Sequence, residues 1–341
     1  MSELAPAPEP LFPPLILAIY IACVSGAGAL ANCALLAALF KRTRNGLFLI
    51  IIQLVIADFI QLAALTAPEL WSNNERTWIF GRSGCIAYRG LSILSSTASL
   101  YFIATIALHT ISTANIEIKA LEKKASRVNR EDDEEIRDSR HSLVASSDSS
   151  TPRTLNVDYR FEDTRVPVAP PSIFVWVLSA SLSVPEFALS TTVREDDTVV
   201  CTLADTSHKI NMHSMIALFN LFLPVLILTS AGGIVVCKLY SKISSKLEGN
   251  ETSSALKLTL CLIIMYMFFC APRSILYVYS LYVIPISNKS YLDYDTNTMI
   301  LNLIFSALYL AAISLRPILC ISLLPRLRNV LTVGFRNIDE V

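Results

Sequence analysis

Charge is scarce in this chain: 16% of its 341 residues are Asp, Glu, Lys or Arg, against 53% that are hydrophobic. The mean hydropathy of +0.52 is too high for an ordinary soluble domain of this length. The 28 basic and 28 acidic side chains cancel, so net charge points neither to nucleic acid nor to an acidic substrate. There is no Gly-rich phosphate loop, no CxxC, no HExxH and no GxSxG, and His109, His141, His208 and His213 are not clustered. These absences leave enzyme chemistry, a resident metal and a cofactor without a supporting motif. The opening MSELAPAPEP carries two glutamates and no Lys or Arg. A cleaved signal peptide is therefore not expected, and the first span is expected to act as the insertion signal.

What the chain has is long apolar windows, at about 14–40, 46–70, 83–115, 172–190, 213–240, 255–284 and 297–323. Each is long enough for a helix to cross a bilayer core, which takes some 20 residues. The sequence predicts an all-α membrane protein, a bundle of seven transmembrane helices. Its third span is rich in small and hydroxylated residues, among them Ser92, Ser95, Ser96, Thr97, Ala98 and Ser99, which suits a central helix. Lys41, Arg42 and Arg44, then Lys238, Lys242 and Lys246, then Arg326, Arg328 and Arg336 fall on one side. The positive-inside tendency puts that side in the cytoplasm, with residues 1–13 as an extracellular N-terminus and the C-terminus inside. Residues 116–171 form the main insertion, poor in apolar residues and rich in serine; it is expected to be largely disordered, with helix continuing from span three to about Lys124. In the 324–341 tail, Leu324, Leu327, Val330, Leu331 and Val333 stand beside Arg326, Arg328 and Arg336, a pattern for a short interfacial helix against membrane lipid.

Polar residues inside the spans are the candidates for function, because a charge there needs a partner. Asp58 lies in the middle of span two and Arg316 in span seven; a buried ion pair between them is expected, the alternative being that Arg316 snorkels to the interface. Arg89, Glu186 and Arg273 occupy the other halves of spans three, four and six. If they converge they line an outward pocket able to recognise a peptide or small polar ligand; otherwise they anchor helix ends. Cys85 at the start of span three and Cys201 in the segment at about 191–212 both face an oxidising compartment in this topology, so a disulfide holding that segment over the bundle is the economical reading, and two free thiols the alternative. Glu195, Asp196 and Asp197 would then sit on the lid. Asn288 heads an outward sequon and is a glycosylation candidate.

In this order and spacing, several residues resemble the rhodopsin-like (class A) G-protein-coupled receptors, over the whole chain except 116–171. They are Asn32 in GALANCALL, Leu54 to Asp58, Trp78-Ile-Phe-Gly, the cysteines 85 and 201, Trp176, and Pro224, Pro272 and Pro317. Pro185-Glu186-Phe187 and the cysteine-bearing segment after it are most similar to the peptide-receptor branch, in particular the orphan galanin-receptor-like proteins. The resemblance implies a plasma-membrane receptor for an extracellular ligand, a peptide by preference in neuropeptide signalling, with a heterotrimeric G protein or arrestin as partner. It also implies Asn32, Asp58, Ser99 and Arg316 as an intramembrane polar switch. Asp58 and Ser99 match ligands of the family's sodium site, and Arg316 stands where the family has asparagine, which would make sodium redundant. Ser92 replaces the aspartate of amine receptors and Leu310 the retinal-binding lysine of opsins, so neither ligand is expected.

The departures concern coupling. His109-Thr110-Ile111 stands where the family has Asp-Arg-Tyr, Arg316-Pro317-Ile318-Leu319-Cys320 where it has Asn-Pro-x-x-Tyr, and Gly232 where span five usually has tyrosine; Cys270 replaces the tryptophan before the span-six proline. Joint loss of these side chains implies atypical G-protein coupling, or else a non-signalling decoy or heteromer partner. A small-solute transporter is the rival from another class, although no internal repeat supports it.

Overall fold

The computed structural model describes residues 9–40, 46–141, 166–195, 198–204, 209–240, 251–286 and 296–329. Seven helices are long and apolar enough to span a membrane. They are α1, Pro14–Phe40; α2, Gly46–Ile60 continued through Gln61–Leu65 into Thr66–Glu75; and α3, Gly81–His141. After these come α4, Ala169–Leu189; α5, Lys209–Ala217 continued through Leu218–Phe222 into Leu223–Tyr240; α6, Glu251–Met265 continued through Tyr266–Cys270 into Ala271–Ile286; and α7, Thr296–Leu323. A further helical turn, α8, occupies 325–329. This is a multi-pass membrane protein, and its surface agrees: Leu15, Ile19, Leu30, Ile173, Phe174, Val177, Leu226 and Phe268 point outward from the bundle, where lipid tails replace water as solvent.

Burial ranks the helices. Two thirds of the apolar window of α3 is buried (67%), against 17% for α1, so the serine-rich third span is the central one. Its small side chains explain why. At Gly90 an added Cβ would run into the Phe187 ring of α4, and Thr97 and Ser99 reach polar groups on α5 and α2. Beside them Phe102 packs edge-on to Trp176, whose indole donates to Gln53 of α2 at 2.8 Å.

Three helices contain a π turn, Gln61–Leu65, Leu218–Phe222 and Tyr266–Cys270. A proline follows each one: Pro68, Pro224 and Pro272. Proline has no N–H and its ring clashes with the carbonyl four residues earlier. Those carbonyls belong to Ala64, Asn220 and Phe268, all inside the π turns, so each helix relieves its proline by widening the preceding turn. In α5 the carbonyl of Phe219, five residues before Pro224, takes a donor from outside, the Tyr101 hydroxyl of α3 at 2.8 Å.

Two expectations change. The helical extension of span three runs beyond Lys124 to His141, because no Gly or Pro interrupts the chain between Gly90 and Pro152; residues 142–165 lie outside the described part. After α7, Leu324 and Leu327 are buried in the bundle core rather than turned to lipid, and Arg326 reaches Glu251 at the start of α6 at 3.0 Å. The rest of the expected interfacial pattern, Val330 to Arg336, lies outside the described residues.

Candidate ligand cavity and buried ion pairs

The segment between α4 and α5 is an antiparallel hairpin, β1 (Ser190–Glu195) and β2 (Thr198–Leu203), with Thr192 opposite Cys201. Its strands are rich in β-branched residues, Thr191, Thr192, Val193, Thr198, Val199, Val200 and Thr202, a strand pattern that apolar length alone does not register. Cys201 is disulfide-bonded to Cys85 of α3. The turn before α3 adds to the hold, since the Trp78 amide donates to the Val199 carbonyl at 2.6 Å. The hairpin therefore marks one end of the bundle. Glu195 ends β1, while Asp196 and Asp197 lie outside the described residues.

Near the hairpin end, four of the expected residues come together. Arg89 donates from Nε to Glu186 Oε2 at 2.7 Å and from Nη2 to Oε1 at 3.2 Å, a bidentate pair joining α3 to α4. Arg273 of α6 does not pair with either. Its partner is Glu69 of α2, at 2.8 Å from Nε and 2.5 Å from Nη2. Arg273 also lies 4.7 Å from the centre of the Tyr309 ring of α7, so one side chain ties α2, α6 and α7. A cavity of about 230 Å³ is lined by Arg89, Ser92, Glu186 and Arg273 together with Tyr88, Glu69 and Tyr309. Sequence reading missed Glu69: it follows Pro68 near a span end, where an acid needs no internal partner, and only the tertiary pairing identifies it.

Deeper in the bundle the ion pair of Asp58 and Arg316 forms, with Nη1 to Oδ1 at 2.7 Å and both side chains almost fully buried. Ser99 completes a triangle: its hydroxyl donates to Asp58 Oδ1 at 2.7 Å and accepts from Arg316 Nη1 at 2.5 Å. Cys270 accepts from Arg316 Nη2 at 3.6 Å. Arg316 does not snorkel. Its guanidinium lies beside Asp58 and Ser99, and it also lines the cavity. Asn32, expected in the same set, stays apart; its amide donates to the Gly28 carbonyl of its own helix at 2.8 Å, and its Oδ1 has no partner among the described residues. Ser95 donates to Gln61 Oε1 at 2.5 Å, a buried contact between α3 and the first π turn that the sequence did not suggest.

At the opposite end, Thr110 is buried, and its hydroxyl lies 3.3 Å from that of Thr259 on α6. The contact between α3 and α6 is therefore neutral. His109 lies against Gly46 at the start of α2, where a Cβ would stand 2.9 Å from its Nε2. Ile111 and Cys320 are buried, and Gly232 faces Ile263 of α6. None of these five supplies a charge to the α3–α6 contact. Asn288 lies outside the described residues. No protein-family model and no curated protein sequence matches this chain.

Proposed function

We propose that the chain is a receptor of rhodopsin-like type whose ligand enters from the hairpin end. The observation that carries this reading is that one cavity is lined both by the Arg89–Glu186 and Arg273–Glu69 pairs and, deeper in, by Arg316 of the Asp58 triangle. A ligand that moves Arg273 acts on α2, α6 and α7 together, and Cys270, which accepts from Arg316, stands three residues before it on α6. Such an arrangement converts occupancy into helix displacement, provided the ligand binds the two arrangements with different affinity. The hairpin end then faces the cell exterior, with the N-terminus and Asn288 on the same side and the long insertion and tail in the cytoplasm. The plasma membrane is the proposed site of action, and no enzymatic step is assigned.

Coupling is proposed to be atypical. The neutral Thr110–Thr259 contact places no cation between α3 and α6 for a G protein or arrestin to meet. The same contact favours a second reading, a binding-only receptor that acts as a decoy or as a heteromer partner. Basal and ligand-induced activation of each G-protein family, measured in cells against an empty vector at matched surface expression, separates the two. A signal in any family supports the signalling receptor. Silence in all of them, with the protein at the surface, supports the binding-only form.

A further inference from the structure

We propose that the cavity is a carboxylate site, in which the guanidiniums of Arg89 and Arg273 receive the acid group of a small organic acid or of a peptide C-terminus. The proposal deepens the receptor reading. It starts from an asymmetry in the two ion pairs. The arginine side chains are 21% and 23% exposed, whereas their partners Glu186 and Glu69 are 1% and 2% exposed. All four side chains line the cavity, and in each pair it is the arginine that keeps exposed surface.

Donors remain to be used. A guanidinium carries five N–H bonds in a planar fork. Arg89 spends Nε and Nη2 on Glu186, and Arg273 spends Nε and Nη2 on Glu69, with Ser306 near the same Nε. The Nη1 group of each donates to no protein atom among the described residues. In a low-dielectric site an unmet cationic donor draws an anion, and a carboxylate fits the fork best. A cationic ligand finds one candidate acceptor, Glu69 Oε2, which has no hydrogen bond among the described residues, but that atom is fully buried whereas both arginine side chains are partly exposed.

Shape sets the ligand's size. About 230 Å³ lies below the roughly 300–1,000 Å³ of sites for drug-sized ligands. The space suits a small acid, or the last residue of a longer chain whose body rests nearer the hairpin. Tyr88, Tyr277 and Tyr309 line it, giving apolar ring faces for the organic part of the ligand.

The test uses the full chain in lipid nanodiscs, read as a shift in melting temperature, which grows with ligand concentration over Kd. The probes are benzoate and glutarate, benzylamine as the cationic control, and one tetrapeptide ending in leucine made as the free acid and as the amide. The acids raise the melting temperature, and benzylamine and the amidated peptide do not. A response to the small acids points to a free metabolite-like acid, and a response to the acid-ended peptide alone points to a peptide C-terminus. The exchange of Glu69→Arg with Arg273→Glu keeps an ion pair but turns a carboxylate toward the cavity; it should weaken acid binding about tenfold or more. Should that exchange not fold, Ser92→Phe, which fills the cavity while leaving the four paired residues in the sequence, should abolish the shift. The proposal is overturned if no acid raises the melting temperature at up to about 10 mM, or if both variants respond as the unmodified chain does. Because this readout needs no G protein, its failure leaves the receptor reading standing, and silence in signalling assays leaves the carboxylate site standing.

Discussion

The guanidinium of Arg316 illustrates what one residue decides. Two opposite charges inside apolar spans are each costly alone, and together they hold α2 against α7 with Ser99 of α3 as the third partner. Removing one member strands the other. Asp58→Ala is expected to destabilise the protein by about 3–5 kcal/mol, and Ser99→Ala by roughly 1–2 kcal/mol because Asp58 keeps Arg316; denaturant titration in detergent micelles measures both. If Asp58→Ala cost no more than Ser99→Ala, the pair would not be carrying the contact between α2 and α7. The same triangle bears on sodium. With Arg316 already beside Asp58, sodium chloride in place of potassium chloride should leave thermal stability unchanged, and a sodium-specific rise lost in Asp58→Asn would contradict that expectation.

Among the elements, the π turns and the α3–α6 contact make separate predictions. A π turn holds one residue more than a regular turn, and each helical residue turns the chain by about 100°. Deleting lipid-facing Phe268 from Tyr266–Cys270 should therefore remove the extra residue and keep Arg273 facing Glu69, at the smaller cost of returning the Pro272 ring to the carbonyl of the preceding turn. Deleting Ile263 from the regular part should rotate every later residue and break that pair. Melting temperatures of the two deletions, with the second far lower, check this. At the other end, Thr110→Arg places a guanidinium against Thr259 in a buried, neutral contact. That charge should force α3 and α6 apart and raise basal G-protein activation. Unchanged signalling in every family, with normal surface expression, would mean that the inner ends of these helices do not limit coupling.

Over the whole molecule, the strongest single constraint is the Cys85–Cys201 bridge, which closes a loop across 116 positions. It pins the hairpin to α3 while Trp78 and Thr77 hold the same strand through Val199. Replacing both cysteines by serine is expected to cost about 2–5 kcal/mol by the chain-entropy argument. A mild reductant should lower the melting temperature of the unmodified chain to that of the double variant and leave the double variant unaffected. The hydrogen bonds from Trp78 and Thr77 predict that the hairpin stays in place in the double variant, which hydrogen exchange at Val199 and Val200 would show as retained protection.

What the sequence by itself determined follows from quantities that are local and additive. Apolar length reports a bilayer span whatever its neighbours are, so the seven helices, the central place of the serine-rich third one and the further helix after the seventh were legible. Asp58 and Arg316 were legible as partners because so few charges lie in the spans that each had few others to choose. Glu69 was not, since an acid near a helix end is as well served by water as by an arginine. Nor did the sequence show that Arg273 would choose Glu69 on α2 over Glu186 on α4, because the choice depends on helix rotation and on the π turn before Pro272. Leu324 and Leu327 carry the periodicity of a lipid-facing helix, yet they fill the end of the bundle, because periodicity finds an apolar face without saying what covers it. The tertiary structure alone decided these pairings, the separation of Asn32 from the triangle, and which member of each ion pair stays exposed, since all depend on how elements far apart in the chain pack together.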